Sequence, residues 1–153
     1  MAKTSLKNAD FTPGSGSISN DAISSTAQID ADKLEHLYKH GTTFDLAKTA
    51  TPVAREEIIH VAEGVGVLRG FACLLFDTGT STNIDFDLKV NASSVLDSVV
   101  NITHSDGDGT TQDGTITSTA LADGDIVSIS LAVTSSTGAQ GPFAWVTIEE
   151  LAQ

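Results

Sequence analysis

Alternation of apolar and polar residues, rather than a helical period, organises most of this chain. Between Asn83 and Asn91, Ile84, Phe86, Leu88 and Val90 alternate with Asp85, Asp87 and Lys89. Successive strand side chains point to opposite faces, so this spacing predicts a strand with one face in a core and one in water. Val127, Ile129, Leu131 and Val133, alternating with Ser128, Ser130 and Ala132, predict a second strand of the same kind. In Phe143–Glu150 the core face falls to Ala144, Val146 and Ile148. Phe143 and Trp145 then lie on the opposite face with Thr147, where large aromatics mark either an interface or a face tucked under a loop or the N-terminal helix.

Five further strands are expected at Phe44–Lys48, Glu57–Glu63, Val67–Phe76, Val95–Ile102 and Thr115–Ala120. Val67–Phe76 is apolar almost throughout, which suits a strand buried on both faces or against a partner. Gly- and Asp-rich turns separate them, among them a polar loop at His104–Gly114 and a long turn at Thr134–Pro142. Eight strands with no helical crossover predict an all-β fold, an antiparallel eight-stranded sandwich or jelly roll, over residues 42–153.

The first forty residues break this pattern. Residues 1–29 include Thr12-Pro13-Gly14-Ser15-Gly16-Ser17 and Ser24-Ser25-Thr26, the composition of an extended, flexible arm. Residues 30–41 predict a short helix. Asp30 can cap its start, Lys39 and His40 suit its last turn, Gly41 can stop it, and Leu34, Leu37 and Tyr38 form an apolar stripe at i, i+3, i+4. That stripe predicts docking on the β domain or on a neighbouring subunit.

Composition narrows the function. The chain has 153 residues, 40% of them apolar and 5% aromatic, which suits one domain plus a tail. The net charge of -12 is unevenly spread: residues 1–43 hold four Lys against five acids, and residues 44–153 hold four Lys or Arg against fifteen acids. A body this acidic repels phosphate backbones, so no nucleic-acid partner is expected. No run approaches 18 apolar residues, so no membrane span is expected either. The first residues lead into no apolar segment of the signal-peptide kind, which predicts synthesis in a cytoplasm.

Catalytic chemistry is not legible. There is no phosphate-loop triplet and no Gly-x-Ser-x-Gly. His36 and His40 would share one face of the predicted helix, but no third ligand stands near them. Asp106-Gly107-Asp108-Gly109 with Asp113 offers oxygen ligands for calcium, yet lacks the EF-hand glycine and terminal glutamate, and a turn is the simpler reading. Cys73 lies in an apolar run and reads as a buried thiol. No catalytic residue, metal or cofactor is therefore assigned.

The run Ile18-Ser19-Asn20-Asp21-Ala22-Ile23-Ser24-Ser25-Thr26-Ala27-Gln28-Ile29-Asp30-Ala31-Asp32-Lys33-Leu34 resembles a segment of tailed-phage virion proteins that precedes a β domain. The order Ser94-Val95-Leu96 through Ile102, Gly114-Thr115-Ile116, Leu121-Ala122-Asp123-Gly124-Asp125 and Gly141-Pro142-Phe143-Ala144 is similar to phage head decoration (cement) proteins built as trimeric jelly rolls. The resemblance implies a homotrimer on the outer surface of the virion capsid, stabilising the shell by bridging subunits of the major capsid protein. It implies capsid contact through Phe11, Ile18, Ile23 and Ile29 of the arm. Leu34, Leu37, Tyr38, Phe143 and Trp145 are then the expected subunit interface. The alternative is a receptor- or glycan-binding knob of a head or tail fibre, with its ligand on the His104–Asp113 or Thr134–Gly141 loops.

Overall fold

In a computed structural model, the structure describes residues 36–150. Two antiparallel sheets face each other, as the alternation requires. The first, sheet A, runs in the order β1 (His36–Thr42), β10 (Gln140–Glu150) and β3 (Gly66–Asp77). Its far side is completed by β7 (Gln112–Gly114) and β8 (Ala120–Leu121), both paired with β3. Sheet B runs β2 (Arg55–Val61), β9 (Ile126–Thr137) and β4 (Ser81–Val90), with β5 (Ser93–Ser94) and β6 (Val100–Thr103) both paired with β4. If each of these short pairs is counted as one interrupted strand, the sheets hold four positions apiece, and the chain passes between them as an eight-stranded jelly roll does. The all-β sandwich is thus as expected, with ten strands in place of eight.

The core lies between the inner faces. Ile84, Phe86 and Leu88 of β4, Val127 and Ile129 of β9, and Ala144, Val146 and Ile148 of β10 are fully buried. Leu68, Phe71, Cys73 and Leu75 of β3 stand beside the β10 residues in sheet A and meet those of β4 and β9 from the facing sheet. Burial pushes the Cys73 thiol far up, and the neighbouring Asp113 charge adds to the effect. Cys73 is therefore expected to resist a thiol reagent in the native protein and to react fully in denaturant. Fast labelling of the native chain would contradict this packing.

Several expectations are corrected. The helix over residues 30–41 is not formed in its described part, because His36–Thr42 is strand β1, paired antiparallel with β10 from His36↔Glu150 to Thr42↔Ala144. Hydrogen bonding to a sheet edge overrides a weak local helical preference. His36 and His40 then lie roughly 13 Å apart along a strand, too far to share an ion. Residues 30–35 and the arm, residues 1–29, lie outside the described residues.

The strand expected at Phe44–Lys48 is a turn. Phe44 and Asp45 have φ of 55° and 53°, uncommon for non-glycine residues. The Thr42 hydroxyl accepts the Phe44 N–H at 2.8 Å, and the Arg55 guanidinium donates to the Phe44 carbonyl. The turn drives the Phe44 ring into the core, 6.0 Å from that of Phe86.

The strand expected at Val95–Ile102 breaks into β5, a bridge between Leu96 and Ile116, and β6. Thr115–Ala120 is mostly connection rather than strand. The long turn expected at Thr134–Pro142 shrinks to the tight turn around Gly138 and Ala139, because Ser135–Thr137 continue β9 against Ser81–Asn83. Polar strand residues at that outer end carried no apolar signal.

Candidate interaction surface

The side chains of β10 that point away from the core meet, across the sheet, positions that are small or open. The register places Trp145 between Gly41 of β1 and Ala72 of β3, Thr147 between Lys39 and Gly70, and Phe143 beside Leu74. The Trp145 ring therefore stands above its neighbours, braced on one side by Phe143 with ring centroids 5.4 Å apart. A Cβ on Gly41 would approach the Phe143 ring to 3.1 Å, so glycine there lets that ring fold over β1.

Two shallow grooves result. One, about 380 Å³, is lined by Lys39, Gly41, Leu74, Phe76, Phe143 and Trp145, and is largely apolar. The other, about 360 Å³, shares Lys39 and Trp145 and adds Gly70, Ala72, Asp113 and Thr147. Lys48 places its ammonium 4.7 Å from the Phe76 ring centroid, a cation–π contact beside the first groove.

Strands β1 and β2 end their respective sheets on the same side of the sandwich. Sheet edges of this kind present backbone groups that can pair with another chain. This edge carries apolar side chains as well: Ile58 is 66% exposed and Val61 51% exposed, with Tyr38 and Ile126 also exposed. Between the two strands the Thr42 hydroxyl donates to Glu57 at 3.0 Å. The His40 and His60 rings lie 4.8 Å apart. His60 Nε2 approaches Glu150 Oε1 to 3.0 Å without hydrogen-bond alignment. Tyr38, Val61 and Glu63 complete the lining of a depression of about 260 Å³ over this cluster.

Burial holds His40 below the ordinary histidine value of 6.5, His60 reinforces the shift, and Glu150 opposes it. The unfolded chain then takes up this proton before the folded one does. The contribution of His40 to stability is complete above about pH 6.5 and is lost as pH falls through its lowered folded value. The urea midpoint is expected to drop on going from pH 7 to pH 5, and His40→Gln to flatten that decline. An equally steep decline in His40→Gln would remove His40 as its source. At lower pH a second loss is expected. Asp108 is held down by the Thr78 N–H and hydroxyl, Asp125 by the Ala122 N–H and Asn91, and Glu56 by Lys89 and Ser128. Their contributions exist above the ordinary carboxylate range and disappear as pH falls through their lowered values.

Of the expected interface residues, Phe143 and Trp145 are brought together on the outer face of sheet A. Leu37 (62% exposed) is on the same outer side of β1 as Lys39, whereas Tyr38 points to the other side, its ring 6.1 Å from that of His40. Strand geometry thus splits a pair that a helix would have kept on one stripe. Leu34 and the arm residues Phe11, Ile18, Ile23 and Ile29 lie outside the described residues. Lys39, Gly70, Phe76, Ile58 and Val61 were not anticipated. Phe76, at the end of the apolar run of β3, carried a partial signal, since a strand apolar on both faces needs a cover for each.

The Asp106–Asp113 loop uses its carboxylates internally. Asp106 accepts the Thr103 N–H at 2.7 Å, Asp108 accepts the Thr78 N–H at 2.8 Å, and Asp113 is part of β7. Among the described residues no group of three or more His, Cys, Asp or Glu is placed to hold a metal ion. No protein-family model and no curated protein matches this sequence.

Proposed function

We propose that this chain is a non-catalytic assembly protein, a capsid decoration protein that binds the outside of a phage head as a homotrimer and bridges major capsid subunits. The observation that carries the reading is the Trp145–Phe143 pair, raised between two open grooves on the outer face of sheet A. Aromatic side chains set around a groove on a sheet face are what protein–protein contacts are built from, and their apolar surface favours burial against another chain. An acidic remainder keeps such a protein soluble until it is assembled. The resemblance of Ile18–Leu34 and of the later turn motifs to virion proteins supports a shell as the partner.

The test mixes the full-length chain with emptied, expanded phage heads and measures bound copies by sedimentation and by electron microscopy of labelled protein. Saturable binding to the shell surface that raises the temperature of shell disruption is the expected result. Labelling of a fibre tip, or a reproducible hit on a glycan array without shell binding, would replace this reading with that of a fibre knob.

A further inference from the structure

We propose that the groove around Trp145 receives the β1–β2 edge of a second copy of this chain, in a head-to-tail contact that repeats from copy to copy. The inference rests on the self-assembly reading above and adds which surface meets which.

Shape is the first argument. The outer face of sheet A is recessed on both sides of Trp145, and the edge strand β2 offers projecting side chains, Ile58 and Val61, which the register sets on the outer side of sheet B opposite Ser128 and Ile126. A recess pairs with a projection better than with a second recess.

Charge is the second. Residues 36–150 contain five Lys or Arg against fifteen Asp or Glu. Three of the five face carboxylates: Arg55 with Glu57, Arg69 with Glu149, and Lys89 with Glu56. Lys39 and Lys48 are in no ion pair among the described residues, and both stand at the apolar groove. The edge carries Glu56, Glu57, Glu63 and Glu150 against Arg55, which faces Glu57, and Lys89, which reaches across to Glu56, so carboxylates outnumber Lys and Arg there four to two. Groove against groove would bring the lysines of two copies together, and edge against edge would bring carboxylates together. Groove against edge pairs unlike charges, and like charges across an interface are what exclude wrong pairings. Asp113, at the far side of the Gly70 groove, reduces this contrast without reversing it.

Connectivity is the third. Lys39 faces the groove while Tyr38 and His40 of the same strand face the edge cluster, so the two surfaces meet along β1. Two different patches in contact make a heterologous interface, which builds a closed ring when the rotation between copies permits and a filament when it does not. A three-membered ring satisfies both this contact and the homotrimer expected above.

A heterologous contact has a signature that a two-fold contact lacks. In the full-length chain, Lys39→Glu with Trp145→Ala disables the groove and leaves the edge intact. Ile58→Lys with Val61→Lys disables the edge and leaves the groove intact. Each variant alone is expected to run as a monomer in analytical ultracentrifugation. Their equimolar mixture is expected to form a 1:1 dimer, doubling the mass, because one good groove and one good edge remain. Gly70→Trp provides a second groove-blocking variant, since a Cβ there meets nothing within 4 Å and the side chain enters the recess without touching the core. Circular dichroism and urea unfolding confirm that every variant is folded.

The proposal is overturned if the wild type is monomeric, if either variant alone still self-associates, or if the mixture stays monomeric. Complementation without shell binding would sink the decoration reading and leave this contact standing. Shell binding by a chain whose variants fail to complement would do the reverse.

Discussion

Replacing Phe86 by alanine is expected to lower the unfolding free energy by about 3–5 kcal/mol, the range for removing a large aromatic from a closed core. Phe86 is fully buried at the middle of β4, between Leu131 of β9 and Val100 of β6 in the register. Its ring also meets Phe44, tilted by 56°. Phe44 is held by a left-handed turn and the Arg55 contact, so it cannot slide in to refill the space. Loss of that aromatic pair adds roughly 0.5–1.5 kcal/mol beyond area burial, which places the effect toward the upper part of the range. With a urea dependence of about 1–3 kcal/mol/M, the midpoint should fall by more than about 1 M. Ile58→Ala serves as the comparison. Its side chain points away from the core on the outer side of sheet B, and its substitution is expected to change stability by less than about 0.5 kcal/mol in dilute monomer. A shift for Phe86→Ala no larger than that of Ile58→Ala would mean the two sheets do not pack as described.

The second large effect is expected at Gly141. This residue has φ of 60°, and its N–H donates to the Ala50 carbonyl at 2.9 Å. A Cβ there would fall 2.2 Å from the Lys48 carbonyl oxygen and 2.8 Å from Phe76 Cδ2. Alanine therefore meets two penalties. A left-handed conformation costs about 1–3 kcal/mol, and forcing backbone apart costs a further 1–3 kcal/mol or so. Gly124→Ala isolates the first penalty, because Gly124 also has positive φ but a Cβ there would meet nothing within 4 Å. Gly141→Ala should be clearly the more destabilised of the two by urea titration, and equal midpoints would show that the residue 43–52 turn does not press on β10. The clash also involves Lys48 and Phe76 at the apolar groove, so Gly141→Ala should weaken self-association where Gly124→Ala does not.

Both predictions draw on features of different legibility. The burial of Phe86 could be read directly, because Ile84, Phe86 and Leu88 alternate with charged residues and only one face of such a strand can enter a core. The same logic placed Val127, Ile129 and Leu131 inside, and set Trp145 and Phe143 opposite Ala144, Val146 and Ile148. The pressure of Lys48 on Gly141 had no such signal, because those residues lie 93 positions apart and meet only through the sheet that β10 completes.

The interaction surface divides in the same way. Two of its aromatics follow from the period of a single strand. Its recesses do not: they depend on Gly41, Ala72 and Gly70 arriving beside Trp145 and Thr147, which is a matter of register between β1, β10 and β3. Residues 36–42 mark the boundary most clearly. Leu37 and Tyr38 with flanking charges satisfy a helical stripe locally, and a seven-residue segment carries only a weak preference of its own. Pairing along the whole length of β1, against Ala144–Glu150 of β10, outweighs that preference and converts the segment into the edge strand that both proposed surfaces share.

By itself, then, the sequence determined the all-β class, the inward faces of the long strands and the acidic character of the body, because side-chain period and charge are local properties. The tertiary structure decided the sheet order, the inward turn of Phe44, the splitting of Leu37 from Tyr38, and the meeting of Lys39, Gly70 and Trp145. Each of these depends on which distant segment supplies the next row of hydrogen bonds, and no local pattern encodes that choice.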